Sequence, residues 1–257
     1  MIFESIYMIR GGSFGLNWNL KLLITIITII TVIYDWKKND RLDYLWIFLF
    51  GTIIWSFVEL FLQAAEIRIM PEKFLFGIEI PLLISIPLQG ISEGSALAVL
   101  GTFAADRIQI KETRKLTIIS FVIFLCCLAF VSLRGQVQLP FVGIFVPSRR
   151  KLFTISSLVF LTSMVAIDII FFIKADHKPR KRAFYLLIVM LTFATIWTVS
   201  EWLAGTRWIE TGSFPFYNRA PPLIEFGGLA FDVIIEIVLA YVTFLAIPYM
   251  LNLIESD

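Results

Sequence analysis

The chain has 257 residues, of which 58% are hydrophobic and 16% charged, with a net charge of +2 and a mean hydropathy of +0.85. Soluble domains are about 45–50% apolar. Because the excess here lies in long apolar runs, the composition excludes an ordinary soluble domain and indicates that lipid is the solvent. No basic stripe with interleaved aromatic residues points to nucleic acid. The single histidine, His177, stands in a basic stretch, which excludes bis-histidine haem and argues against histidine-rich metal sites.

A membrane-spanning helix needs about 20 mostly apolar residues. Segments that meet this need predict an all-α polytopic membrane protein of about seven transmembrane helices, in a single domain over residues 1–257. Many segments are rich in β-branched residues, but a spanning segment must satisfy its backbone internally, and this favours helices. The predicted spans are 16–34, 44–63, 81–105, 116–133, 152–173, 183–204 and 222–251.

The distribution of lysine and arginine predicts the orientation. The loops after the first, third and fifth helices carry more of these residues than the loops on the opposite side, so we expect an outside N-terminus and a cytoplasmic C-terminus in the cell membrane. The basic run Arg149–Lys151 argues against this assignment. The longer outer loops, 135–150 and 205–221, either cap a site that opens to that side or simply connect helices.

The second and sixth helices resemble each other, since residues 52–59 line up with residues 194–201. The matched pairs are Trp55 with Trp197, Glu59 with Glu201 and, one residue out of step, Glu93 with Glu236. We predict a parallel 3+1+3 internal repeat: repeat one at about 16–106, a linker helix at about 116–133, and repeat two at about 152–253. The alternative, that short apolar segments align by chance, stays open.

Acidic residues inside the predicted helices are the main functional signal, because a charge at the bilayer centre costs at least about 2.5–3.5 kcal/mol. Those within the spans are Glu59, Glu93, Asp168, Glu201, Glu225, Asp232 and Glu236. Helical periodicity places Glu225, Asp232 and Glu236 on one face, and Gln89 shares a face with Glu93. A cluster of such carboxyls holds protons for acid–base chemistry or proton coupling. The alternative is that they form structural hydrogen bonds between helices, which is favoured for Asp168.

The tryptophans and small residues complete the predicted site. Trp55 and Trp197 each lie one turn before a glutamate, where an indole can donate a hydrogen bond or wall an apolar ligand. Small residues crowd the third helix around Glu93 and favour close helix packing. The alternative is that they, with Pro87, open the helix around Glu93.

The order of three helices, a linker and three helices resembles the SWEET-type sugar transporters. A closer likeness is to the small membrane-bound lycopene cyclases of carotenoid biosynthesis, which are also duplicated three-helix units. The residues that carry it are Asp40-Arg41, Trp55 with Glu59, Trp197 with Glu201, and Pro222-Leu-Ile-Glu225. The family's Glu-Glu pair is absent, and the first repeat has Glu79-Ile-Pro81 there. The resemblance implies isomerase or cyclase chemistry on a carotenoid-like ligand, and it adds Glu225 as a candidate residue.

The leading hypothesis is therefore a membrane-embedded enzyme or binder acting on an apolar, isoprenoid ligand. A carboxyl group would protonate an alkene, and aromatic side chains around the ligand would stabilise the resulting carbocation. The candidate catalytic residues are Glu59, Glu93, Glu201, Glu236 and Glu225, and the candidate ligand-binding residues are Trp55, Trp197, Gln89 and Asp232. The alternatives are a proton-coupled transporter and a non-catalytic membrane subunit. The cofactor and the oligomeric state are left open, and the partners expected are the bilayer and an apolar molecule or transported solute, not nucleic acid.

Overall fold

The computed structural model describes residues 6–10, 18–69, 73–134, 148–213 and 216–254. These residues are mostly helical, and each predicted span falls on one of seven long helices. They are α1 (Asn19–Asn39), α2 (Asp43–Ala64), α3 (Leu82–Gln109), α4 (Lys111–Arg134), α5 (Ile155–Lys174), α6 (His177–Leu203) and α7 (Pro222–Met250). Six of them, α2 to α7, are long and apolar enough to cross a membrane. The prediction of a mostly helical chain with seven long helices is confirmed.

Two helices extend into stretches that the sequence predicts as basic loops. α1 continues through Lys37 and Lys38 to Asn39, and α6 begins at His177, six residues before the predicted span. Lysines in the last turn of α1 interact favourably with the negative end of the helix dipole. Pro179 lies in the first turn of α6, where its missing N–H has no intrahelical partner to lose. The apolar run alone therefore underestimates the length of both helices.

The outer surface of the bundle is strongly apolar, and α4 shows this most clearly. Of its 24 residues only Leu125 is buried, and Leu116 is 69% exposed. A long helix that is apolar on every side and this little buried needs an apolar environment around it.

A five-stranded antiparallel sheet, which the sequence did not predict, covers one end of the bundle. Its strand order is β2-β5-β1-β6-β7, and a separate hairpin pairs β3 with β4. The strands are β1 (Ile6–Arg10), β2 (Arg68–Ile69), β3 (Phe74–Leu75), β4 (Ile78–Glu79), β5 (Ser148–Lys151), β6 (Arg207–Ser213) and β7 (Phe216–Arg219). Apolar side chains of β1 and β6, among them Met8 and Ile209, form a small core with Leu152 and Leu229. The predicted outer loop 205–221 is thus largely a hairpin, while 135–147 lies outside the described residues.

Both of the longest helices contain a wider π-helical stretch. In α3 it covers Gly90–Ser95, and in α7 it covers Asp232–Leu239. Each stretch contains one of the predicted site glutamates, Glu93 or Glu236. π-Helical stretches occur frequently at functional sites. The opened helix that the sequence left as an alternative around Glu93 is present, together with the close packing.

The π stretch of α3 packs backbone against backbone on α2. A Cβ atom built on Gly94 would lie 2.5 Å from the carbonyl oxygen of Gly51 and 2.5 Å from the Cβ of Trp55. The absence of a side chain at Gly94 is therefore what allows α2 and α3 to approach so closely.

We predict that Gly94→Ala destabilises the protein by about 1–3 kcal/mol, because the added methyl group forces the backbones apart. Gly227→Ala is the matched control, since a Cβ at Gly227 in α7 has no atom within 4 Å. Thermal unfolding of the detergent-purified variants measures both. Equal melting temperatures for the two variants would contradict the proposed close contact.

Candidate functional site

Beneath the sheet, charged side chains from five helices, four strands and the loop before β3 meet in what we call the charged cluster. Its members are Arg10, Lys21, Glu59, Arg68, Lys73, Glu93, Arg150, Glu201, Arg207, Asp232 and Glu236. All are buried or half-buried. α2 and α6 end at this level and α1 begins there, whereas α3 and α7 continue past it. The cluster therefore lies at the sheet-covered ends of α1, α2 and α6, but near the middle of α3 and α7, where Glu93 and Glu236 stand.

Arg207 has the most buried charge of the cluster, with none of its surface exposed. Its guanidinium donates to Glu201 Oε2 at 2.6 Å, to Asp232 Oδ2 at 2.7 Å and to Thr198 Oγ1 at 2.6 Å. One cation thus joins α6, which carries Glu201 and Thr198, to Asp232 at the π stretch of α7. Charge-assisted hydrogen bonds of this kind are about twice as strong as neutral ones.

A tight turn after α6 brings Arg207 back onto its own helix. Gly205 adopts a left-handed conformation with φ of 69°, and the Thr206 N–H donates to the carbonyl of Glu201 at 2.8 Å. This bond closes the helix end in the manner of a Schellman motif, for which glycine is the favoured left-handed residue. β6 begins directly afterwards, so that its first side chain, Arg207, faces the last turns of α6.

The end of α2 repeats this construction. Glu66 has φ of 54°, the Ile67 N–H donates to the Leu62 carbonyl at 2.9 Å, and β2 begins with Arg68. Arg68 Nη1 donates to Glu59 Oε2 at 2.6 Å. After both α2 and α6, an arginine on the following strand therefore neutralises a glutamate of the helix.

The two helix ends differ in register by one turn. Arg68 reaches nine residues back to Glu59, whereas Arg207 reaches six residues back to Glu201 and nine back to Thr198. Counted back from the arginine, Thr198 therefore occupies the position equivalent to Glu59, whereas the sequence alignment pairs Glu59 with Glu201.

The carboxyls of α7 share a second arginine. Arg150 contacts both Asp232 and Glu236, and Arg10 donates to Asp232 Oδ1 at 3.3 Å. On α3, Glu93 pairs with Lys21 at 2.5 Å. Every carboxylate of the charged cluster thus contacts a cation.

Two indole rings lie between the cations. Trp197 has Arg10 at 5.4 Å and Arg207 at 5.1 Å from its ring centre, and its Nε1 donates to Glu201 at 2.7 Å. Trp18 has Lys21 at 4.6 Å and Lys73 at 5.0 Å. Cations over an indole face are attracted by its negative π surface, so these rings help to hold like charges close together.

Arg10 and Lys73, two cations outside the long helices, have pKa values that are shifted by burial and by the charges around them. Burial by itself would lower the pKa of Arg10, but the carboxylates of Asp232, Glu201, Glu93 and Glu236 outweigh it and raise that pKa. Burial lowers the pKa of Lys73 to about 8; Lys21 and Arg68 add to this effect, whereas Glu59 and Glu93 oppose it. Arg10 therefore interacts with carboxylates of α3, α6 and α7 at once.

Most of the predicted site residues come together here. The structure gathers Glu59, Glu93, Glu201, Glu236, Asp232 and Trp197 in or against the cluster, and Gln89 accepts a hydrogen bond from Lys73 at 3.2 Å. The expected carboxylate–indole contact forms at Trp197 but not at Trp55. The Nε1 of Trp55 is buried with no partner in the described part of the chain, and its ring stacks on Tyr241 at 6.3 Å.

Two of the predicted carboxylates lie apart from the cluster. Glu225 binds Arg219 at 2.7 Å and Trp202 Nε1 at 3.0 Å, near the outer surface. Asp168 accepts a hydrogen bond from Thr243 at 2.9 Å between α5 and α7, which agrees with the structural interpretation favoured for it. The structure therefore offers no contact between Glu225 and the other candidate catalytic residues.

Sequence reasoning missed the cations, because it assigned Arg10, Arg68, Lys73 and Arg207 to loops. One signal pointed to them: Arg149–Lys151 on the predicted outer side conflicted with the expected orientation.

A narrow lateral crevice between α2, α5 and α7 leads from the apolar surface to the charged cluster. Its space is about 40 Å³, enough for about one water molecule or the end of a ligand. Apolar side chains such as Phe61, Phe160 and Leu161 form its walls, while Trp55, Arg150 and Glu236 also line it. Of the cluster's five carboxylates, only Glu236 lines this crevice.

No protein-family profile, no curated protein and no solved structure matches the chain. Within the described ranges, no group of three His, Cys, Asp or Glu side chains is arranged to hold a metal ion. The chemistry of the site therefore has to be argued from its carboxyls, cations and aromatic rings.

We predict that Arg207→Gln destabilises the protein by about 3–5 kcal/mol, because it leaves Glu201 buried without its cation and removes the shortest ion pair of Asp232. Arg219→Gln is the matched control: Arg219 also pairs with a glutamate, but its side chain is 56% exposed, and exposed pairs contribute at most about 1 kcal/mol. Unfolding in detergent micelles measures the difference. Equal losses for both variants would show that the Arg207 pairs do not stabilise the fold.

The lowered pKa of Lys73 predicts a pH dependence of stability. Between about 8 and its ordinary value of 10.5, the folded protein has released a proton that the unfolded chain still binds. The free energy of unfolding therefore rises with pH across this window relative to Lys73→Met, which lacks the group. Unfolding curves of both proteins from pH 7 to 11 test this, with Lys111→Met as the control for removing an exposed lysine. A constant difference across the window would contradict it.

Proposed function

We propose that the chain is an integral membrane protein with an outside N-terminus, built from two parallel three-helix repeats joined by α4. Six long apolar helices and the exposed apolar surface of α4 support membrane insertion. The repeat is supported by three shared features of the two halves: the helix-ending turn, the arginine that follows it, and the π stretch that carries a glutamate.

Within that membrane domain, we propose acid–base chemistry on an apolar, isoprenoid-like ligand that enters through the lateral crevice. The observation that carries this proposal is the position of Glu236 at the inner end of an apolar crevice, where it shares the Arg150 guanidinium with Asp232. Two carboxylates held close together by one guanidinium repel each other, and this repulsion favours a proton on one of them. The pair can therefore give a proton to a bound molecule and take one back.

The proposed step protonates a carbon–carbon double bond. Glu236 would transfer its proton to one alkene carbon, leaving a carbocation on the other, and Arg150 would stabilise the resulting carboxylate. The face of Trp55, which lines the same crevice, would stabilise the cation. Loss of a proton from a neighbouring carbon to the carboxylate then regenerates the acid. The net reaction is an isomerisation or ring closure without an oxidant.

The same geometry assigns other roles to the remaining candidates. Glu59 and Glu201 are held by Arg68 and Arg207, and Glu93 is held by Lys21. None of these three carboxylates lines the crevice, so a ligand that enters there meets Glu236 instead. We propose that they position the cations of the cluster.

We predict that lycopene, used as an acyclic polyene probe, binds the protein in nanodiscs and takes up deuterium from heavy water. In Glu236→Gln the uptake is lost while binding, followed by visible absorbance, remains. The matched control is Glu112→Gln, an exposed glutamate at the start of α4, which should leave uptake unchanged. Uptake that persists in Glu236→Gln would overturn the catalytic assignment.

Blocking the crevice tests the entry route. Leu161→Trp fills the crevice and should abolish probe binding, whereas Val159→Trp, on the exposed side of the same helix, should not. Absence of polyene binding to the wild-type protein would contradict the ligand class itself.

A structural role of the charged cluster is the second candidate, and the pairing of each of its carboxylates with a cation favours it. Under this proposal Glu236→Gln lowers the melting temperature without any chemistry to lose. A proton-coupled carrier would instead show solute flux in proteoliposomes that stops in Glu236→Gln.

A further inference from the structure

We infer that the protein binds one anionic phospholipid in a groove between α1, α3, α4 and α6, with its phosphate at Lys38 and Arg107. This groove is separate from the lateral crevice and has a volume of about 590 Å³, within the range of small-molecule sites. The inference rests on the proposed membrane insertion and not on the proposed chemistry.

The long part of the groove is apolar. Its walls include Ile24 and Ile27 of α1, Leu100 of α3, and Phe121 and Phe124 of α4. Gly101 forms part of its floor, where a Cβ atom would come within 2.8 Å of Met190 Sδ. Close packing of α3 on α6 thus leaves a channel along α4 that suits a hydrocarbon chain.

One end of the groove is basic, and it lies opposite the sheet-covered end of the bundle. Lys38 and Arg107 line it there, together with the hydroxyl-bearing Thr113 and Thr117, and no carboxylate lines the groove. Lys38 donates to Tyr34 and forms no ion pair within the described ranges. Arg107 has Asp35 only at 3.8 Å, a loose pair that leaves its guanidinium available to a phosphate.

Arg107 also lines a neighbouring polar cavity of about 490 Å³. Of the three aspartates that line it, Asp43 and Asp106 pair with Arg182 at 2.7 Å and 2.8 Å, and Asp35 has Arg107 itself at 3.8 Å. An anion at Arg107 therefore shares this guanidinium with Asp35 and meets no unpaired negative charge from Asp43 or Asp106.

The length of the groove indicates which kind of ligand binds in it. From Arg107 to Leu97 it follows ten residues of α3, about 15 Å at 1.5 Å per residue. That is half of a hydrocarbon core about 30 Å thick. A groove that begins at a basic surface and ends near the midplane matches a phospholipid of one leaflet, with its headgroup at the basic end.

The experiment compares lipids retained by the full-length protein. Protein reconstituted in vesicles of equal phosphatidylglycerol and phosphatidylcholine is re-extracted in detergent, and bound lipid is counted by native mass spectrometry. We expect retained phosphatidylglycerol in the wild type, and a preference that falls by about fivefold in each of Lys38→Gln and Arg107→Gln. Lys37→Gln, on the neighbouring exposed lysine, should retain the wild-type preference.

A second pair of variants tests the tail. Ser120→Trp places a large ring in the groove and should remove both lipids, whereas Val122→Trp, on the other side of α4, should remove neither. Equal retention of the two lipids by the wild type, or an unchanged preference in both charge variants, would overturn the proposal. Co-purification of a different amphiphile that phosphatidylglycerol does not displace would also overturn the proposal. None of these results depends on polyene binding or on Glu236.

Discussion

The structure depends on the neutralisation of buried carboxylates, and Arg207 is its centre. A carboxylate or guanidinium that is moved from water into a protein interior loses several kcal/mol of solvation. The loss is offset only if each charge keeps close, well-directed partners. Arg207 achieves this for two helices at once, because its planar group donates to Glu201, Asp232 and Thr198 in different directions. A lysine has a compact charge without this fork and cannot make the same bridge.

Four of the cluster's six cations come from strands and all five of its acids come from helices, so the sheet and the bundle stabilise each other. β1, β2, β5 and β6 each contribute one arginine that reaches a helix carboxylate. Without the sheet the acids at the ends of α2 and α6 would be unpaired, and without the acids four arginines would lie beside apolar helices. This mutual need explains why a small sheet with short strands covers one end of a bundle whose other surfaces are apolar.

Pairing also separates the carboxylates by chemistry. Glu59 and Glu93 each have a cation of their own, whereas Asp232 and Glu236 share Arg150. The π stretch of α7 contains both residues. The proposed acid is thus the residue in which a proton, an apolar entry and an aromatic wall coincide, and the other acids of the cluster maintain its surroundings.

The sequence alone determined those properties that follow from the pattern of residues within one segment of the chain. Apolar runs of about 20 residues predicted all seven helices, and matching residues in the second and sixth helices predicted that Glu59, Glu93, Glu201 and Glu236 belong to one site. These signals are local, because a spanning helix satisfies its backbone within itself.

Only the tertiary structure decided which charges meet. β1 pairs with strands about 140 and 200 residues away along the chain, and no pattern within five residues encodes those partners. Because of these strand pairings, Arg10 and Arg150, which the sequence places in loops, bind a carboxylate of α7. Glu225 instead pairs with Arg219 outside the cluster. Pairing between distant segments depends on the packed geometry of the whole chain, which is why it could not be read from the spacing of residues in any one helix.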